Sequence, residues 1–332
     1  MAIVFIDGFD HYGATSHISR KWNTVSGSGI SLITGRFGTG NALKTGTNSS
    51  TLALGLTSGA TFYVGVAYQN ISGDPATILS FKDGTTVQCG LAITSGGFLY
   101  AYRSSTATVL GYASTSIKMM QWNYIEIKVT ISDAAGAFEV RLNGNTSPII
   151  NLSSVDTKAT ANASANSFEL AQGSNVDVAY DDIYVSDSAF LGDVRVQTLL
   201  PNANGTYSQL TRTGGGSNNY EAVDDTTPDD DITYVSETSG AAKKDAYNYP
   251  ATSGTIATVH TVQTNILARK TDAGAVQIRP FIKSGVTEST GTSVTPSTSF
   301  TYLLERFVND PNTGSAWTQA NLNAAEFGVE VI

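Results

Sequence analysis

Two acidic groups stand at opposite ends of the first half of the chain. Asp7 opens Asp7-Gly8-Phe9, and Asp181 and Asp182 open Asp181-Asp182-Ile183-Tyr184-Val185. If the first and last strands of a sandwich are neighbours, Asp7 meets Asp181 or Asp182. Paired carboxylates beside backbone carbonyls suit a structural Ca²⁺, which takes about six to eight oxygen ligands. The same aspartates also suit turns, where they bond local amides. A second group is Tyr100, Tyr102 and Tyr112. Tyrosines in a sandwich groove stack on sugars, and they equally serve cores and subunit interfaces. A third is the acidic stretch Asp224, Asp225, Asp229, Asp230 and Asp231. It fits a bound cation or a basic partner, or simply a solvated loop that keeps strand edges apart.

Other chemistry has no anchor. The chain contains no G-x-S-x-G elbow, H-E-x-x-H or phosphate-binding loop. Retaining glycosidases need two carboxyl groups about 5–5.5 Å apart. Here Glu126 is followed by Ile127 and Lys128, and no E-x-D-x-E pattern occurs. The expectation is a non-enzymatic chain. Cys89 is the single cysteine, which excludes an intrachain disulfide and is expected to be a buried apolar residue. His11, His17 and His260 lack metal-ligand spacing and are expected as surface residues or simple hydrogen-bond donors.

Composition narrows the class. Of 332 residues, 41% are hydrophobic, enough for packed cores, while only 14% are charged, against about 25% in an average domain. Gly, Ser, Thr, Asn and Ala fill the gap, a mix poor for helices and good for strands joined by tight turns. The net charge of −9 argues against nucleic acid as a partner. No apolar run reaches the roughly 18 residues of a membrane span, so membrane insertion is not expected. Met1 to Asp10 lacks the basic start of a signal peptide, so synthesis and assembly in a cytosol are expected.

The elements that must position these residues are strands. Between Trp122 and Ile131, Ile125, Ile127, Val129 and Ile131 alternate with Tyr124, Glu126, Lys128 and Thr130. Phe138, Val140 and Leu142 alternate in turn, followed by Asn143-Gly144, a strong hairpin signal. Residues 61–69, 77–81, 87–94, 98–103, 167–170 and 178–185 follow the same pattern, with Asp83-Gly84 and Gly96-Gly97 as turns. Many short strands argue for a sandwich or jelly roll. Later strands are predicted at 193–200, 256–269, 275–284, 300–308 and 327–332, with a hairpin-like turn at 270–274. One short helix is predicted at 316–324, capped by Ser315. The expected architecture is all-β: a jelly roll over 1–187, then a second β-sandwich domain over 188–332 with at most one short helix.

Asp7-Gly8-Phe9, the strand from Trp122 to Lys128, the hairpin from Phe138 to Gly144 and the close from Asp181 to Val185 together resemble a laminin-G-like, or concanavalin A-like, jelly roll over roughly 3–187. Phe190 to Val196, Leu199 to Gly205, Asp310 to Gly314 with Ala316-Trp317-Thr318, and Asn323 to Val329 resemble tailed-bacteriophage virion structural proteins. That resemblance implies a virion component (capsid decoration, head fibre, collar or tail-associated) assembled in the host bacterial cytoplasm. Its partners would be other virion proteins and further copies of itself, with a trimer favoured by analogy with fibre-like proteins. The alternative is an adhesin that binds host-surface glycan through loops near Tyr100, Tyr102 and Tyr112.

Overall fold

The computed structural model describes residues 3–46, 50–170, 176–238 and 242–332. The chain forms two compact units. The first comprises residues 1–10 and 14–196, and the second comprises 11–13 and 197–332.

The first unit contains β1 (Ile3–Asp7), β2 (Thr24–Ser26), β3 (Ser31–Thr34), β4 (Asn41–Thr45), β5 (Thr51–Gly59), β6 (Thr61–Asn70), β7 (Ala76–Asp83), β8 (Thr86–Ile93), β9 (Phe98–Arg103), β10 (Val109–Ser116), β11 (Asn123–Thr130), β12 (Gly136–Leu142), β13 (Ile150–Val155), β14 (Ala165–Leu170) and β15 (Val178–Ser186). They form an eight-stranded sheet, β13-β12-β11-β6-β15-β4-β3 with β1 also on β15, and a seven-stranded sheet, β10-β9-β8-β7-β14-β5-β2. The inner faces pack through Phe62 on Phe81 at 5.9 Å, and Phe81 lies against Phe168 of its own sheet at 6.0 Å. The Tyr180 hydroxyl of one sheet donates to the Ile78 carbonyl of the other at 2.8 Å. This is the expected all-β sandwich.

The two sheets differ on their outer faces. Segment 187–196 crosses the eight-stranded sheet, where Leu191 and Val194 pack against Ala67, Tyr124 and Tyr184. Its backbone amides are bonded to buried carboxylates. Leu191 and Gly192 N–H donate to Glu126 Oε1 at 3.1 and 2.8 Å, and Val196 N–H donates to Asp182 Oδ1 at 2.7 Å. The strand predicted over 193–200 does not form. These backbone groups turn to buried carboxylates instead of a neighbouring strand. On the outer face of the seven-stranded sheet, the 159–164 loop is bonded over Gln88, and Tyr112 is exposed.

The second unit contains β16 (Ala203–Ser208), β17 (Thr211–Thr213), β18 (Tyr234–Ser236), β19 (Lys243–Asn248), β20 (Val262–Ala268), β21 (Ile278–Ser284), β22 (Thr287–Thr290), β23 (Thr301–Phe307), α1 (Gln319–Ala324) and β24 (Glu326–Val331). Its five-stranded sheet runs β16-β19-β24-β21-β22, with two-stranded ribbons β17-β18 and β20-β23. Ile282, Trp317 and Phe327 pack with Val262 and Phe307 of the β20-β23 ribbon. The turn at 270–274 therefore links strands of different sheets: β20 pairs with β23, and β21 with β24 and β22. The helix starts later than predicted. Its cap is Thr318, whose side chain accepts from Asn321 N–H at 3.1 Å. The reason is that Ala316 is held in a bridge to Asn309.

Two further expectations change. His17 is buried in the turn at 15–20, and His11 stacks beside Tyr12 at 4.1 Å and edge-on to Tyr302 at 5.1 Å. Cys89 is fully buried, as expected.

Gly65 on β6 faces the Tyr184 ring so closely that an added Cβ would lie 2.0 Å from it. Gly65→Ala is expected to lower stability to denaturant by about 1–3 kcal/mol through overpacking. Gly96→Ala, whose Cβ meets Phe98 at an ordinary 3.5 Å, is the matched control.

Candidate functional site

The aspartates named from sequence fall into two separate clusters. β1 and β15 are neighbours, with Asp7 opposite Ile183. The Asp7 carboxylate, fully buried, accepts from Trp22 Nε1 at 2.8 Å and from Phe9 N–H at 2.9 Å, with Lys21 Nζ at 3.5 Å. Asp181 and Asp182 lie on a bulge of β15, and Asp182 adopts φ +49°. Asp181 Oδ2 accepts from Arg36 N–H at 2.8 Å, and its Oδ1 from Asp182 N–H at 2.8 Å. Asp182 Oδ2 lies 3.5 Å from Arg36 Nη1, and Arg36 also pairs with Asp193 at 2.7 Å. Asp7 is thus spent on Trp22 and the turn behind it, and Asp181 and Asp182 on Arg36 and segment 193–196. Among the described residues no group of three His, Cys, Asp or Glu side chains is placed to hold a metal ion.

Burial pushes the Asp181 carboxyl up to about 7, reinforced by the neighbouring Asp182 charge and opposed by the amides it accepts. Burial likewise pushes Asp182 up to about 6, opposed by Val196 N–H, Arg36 and Arg195.

The acidic stretch is bonded largely within its own loop. Asp225 and Asp229 accept from the Thr233 hydroxyl at 3.1 and 2.9 Å, and Asp231 pairs with Arg269 at 2.7 Å.

The tyrosines occupy the open face of the seven-stranded sheet. Register sets two rows across it. One runs Val109, Tyr102, Gly90, Ser80, Glu169, Ala53 and Thr24, and the other runs Tyr112, Tyr100, Ala92 and Thr77. Residues in register share a face, so each row is a strip of one surface. Tyr100 and Tyr112 lie side by side, ring centres 5.5 Å apart and tilted by 42°, with Tyr112 59% exposed. Phe98 extends the apolar rim. Tyr102, by contrast, is buried and lies over Gly90, whose missing Cβ leaves room for its hydroxyl end. Burial pushes that phenol up. The structure therefore brings Tyr100 and Tyr112 together at the surface and keeps Tyr102 beneath it.

Four residues not singled out from sequence complete the face. Lys82 Nζ and Glu169 Oε2 form a half-buried ion pair at 2.9 Å. The Ser80 hydroxyl, beside Glu169 and Gly90 in register, is buried without a hydrogen-bond partner. Gln88 is fully buried and bonds the 159–164 loop. Its Nε2 donates to Thr160 Oγ1, Asn162 O and Ser164 O at 2.8–2.9 Å, and its Oε1 accepts from Ala159 and Thr160 N–H. That loop rises at the Gln88 end of β8. The arrangement offers a pair of tilted aromatic rings, a donor and acceptor held together, and a floor of small residues.

No protein-family model matches the chain, and no curated protein matches it. Solved structures similar to it include a sialidase at 10% identity and TM-score 0.43, covering 56% of this chain and 18% of that one. A carbohydrate-binding module, CBM66 from Bacillus subtilis, is 11% identical at TM-score 0.34, covering 48% of this chain and 92% of that one. A galectin-like protein of unknown function from the same organism is 10% identical at TM-score 0.37, covering 56% and 96%. The chain thus spans 18% of the sialidase's length. These likenesses are of fold. They correct the expectation of a non-enzymatic chain, which rested on missing motifs. The similar structures include enzymes, among them Trypanosoma rangeli sialidase solved as a covalent intermediate with 2,3-difluorosialic acid.

The raised Asp181 and Asp182 values carry a pH signature. Between about 4 and about 7 the folded chain holds protons that the unfolded chain has released, so this contribution to stability falls as pH rises through that window. Unfolding by urea at several pH values is expected to show the decline between about pH 5 and 7, and Asp181→Asn to flatten it.

Proposed function

We propose that this chain contacts carbohydrate through the open face of its seven-stranded sheet. The observation that carries the reading is the exposed Tyr112 ring tilted against Tyr100, on the same face as the Lys82–Glu169 pair. A pyranose has one apolar face of C–H groups and an equatorial rim of hydroxyls. An aromatic platform meets the first on one sugar of a glycan chain, and a fixed donor and acceptor meet the second on another. On the opposite sheet, segment 187–196 packs over Ala67, Tyr124 and Tyr184. The face is shallow, so affinity per site is low and useful binding depends on several copies acting together. Tyr112→Ala is expected to lower retention on immobilised glycan at least about tenfold, the loss of roughly 1.4 kcal/mol of stacking, while leaving the circular-dichroism melting curve in place. Unchanged retention would remove the reading.

The setting we propose is a bacteriophage particle. Its support is the sequence resemblance, together with what the resembling residues do. Leu191 and Gly192 anchor the strap on Glu126. Asp310 accepts from Asn312 N–H and Asn321 Nδ2 at 2.9 and 2.8 Å, and Trp317 Nε1 donates to the Phe307 carbonyl at 2.9 Å. These residues determine how the chain folds, which suits a rigid particle component. Peptides of the chain are expected in mass spectra of gradient-purified particles, and their absence would exclude a virion role.

A further inference from the structure

We infer that the open face of the seven-stranded sheet selects uncharged glycans over sialylated or uronate-bearing ones. This deepens the carbohydrate reading above and rests on it.

The argument starts from the cations. The strands of this sheet carry two, Lys82 and Arg103, and both are engaged. Lys82 Nζ is 2.9 Å from Glu169 Oε2, with the two side chains 18% and 17% exposed. Arg103 Nη2 is 3.1 Å from Asp156 Oδ2, and its Nε donates to the Lys158 carbonyl at 2.7 Å. A sugar carboxylate needs a cation able to leave its partner. Drawing Lys82 away would strand Glu169, a half-buried carboxylate, and that cost cancels the gain. The overall charge of −9 adds a repulsive field for polyanions.

A neutral sugar meets no such conflict. Two adjacent hydroxyls present an acceptor and a donor at once. They can bond Lys82 Nζ and Glu169 together without separating them. Tyr100 and Tyr112 supply the contact that needs no charge.

Retention of the intact chain on neutral polysaccharide (dextran, galactan) is compared with retention on polysialic acid and hyaluronate. Expected is retention on a neutral polymer that changes less than about twofold between roughly 50 and 500 mM salt. Glu169→Gln frees Lys82 and is expected to raise retention on the anionic polymers while lowering it on the neutral one. Lys82→Met lowers neutral retention and gains nothing on anionic polymers. Wild-type retention confined to anionic polymers, falling with salt and lost in Tyr112→Ala, would overturn the charge selectivity and leave the carbohydrate reading standing. Retention on neither class would overturn both.

Discussion

Short strands joined by long loops leave backbone N–H groups that no neighbouring strand can accept. A buried amide without a partner costs about as much as a lost hydrogen bond. In this chain a few buried side-chain oxygens accept them. Asp7 takes Phe9, Gln88 takes Ala159 and Thr160, Glu126 takes Leu191 and Gly192, and Asp182 takes Val196. Asp245 does the same in the second unit, accepting from Gln209 and Leu210 N–H at 2.6 and 2.8 Å, and from Asn219 Nδ2 and the Tyr247 hydroxyl. A protein with 14% charged residues thus spends several of its carboxylates inward. Each buried charge is tolerated because it collects several donors.

This constraint decides which surface is available. Glu126 and Asp182 fasten the strap that packs over Ala67, Tyr124 and Tyr184 on the eight-stranded sheet. Gln88 holds the 159–164 loop at one end of the seven-stranded sheet and leaves the Tyr100–Tyr112 region clear. The platform is therefore a consequence of where loop amides find acceptors. It needs no dedicated cavity, and its chemistry is set by side chains already placed by strand alternation.

Period-two alternation is a local signal, and local features were legible. Residues 98–103 form β9 over the range read from sequence, and 61–69 form all but the last residue of β6. Asn143 and Gly144 take φ of +52° and +72°, as the dipeptide implies, although the connection then runs on to β13 at Ile150. Partner choice is nonlocal and was not legible. Lys82 and Glu169 lie 87 positions apart and meet only because β7 and β14 are neighbours. Nothing in the run from 193 to 200 distinguishes a strand from a strap whose amides go to Asp182. The tyrosines looked alike in sequence, yet register over Gly90 buries Tyr102 and leaves Tyr112 outside.

The two acidic features show why residue type alone misleads about chemistry. Asp181 and Asp182 have the composition of a cation site, and a cation is there: the guanidinium of Arg36, with backbone amides completing the set. The positive φ of Asp182 turns its carboxylate toward Val196, and the neutralisation is internal and buried. Lys82 and Glu169 look like an ordinary surface pair, which in general contributes little to stability. On the same sheet face as the tilted Tyr100 and Tyr112 rings, a pair that stays together offers one donor and one acceptor at fixed spacing. Neutralised charge in the interior closes a site to ions, while neutralised charge at this surface leaves polarity without net field, the condition that favours hydroxyl-rich ligands over ionic ones.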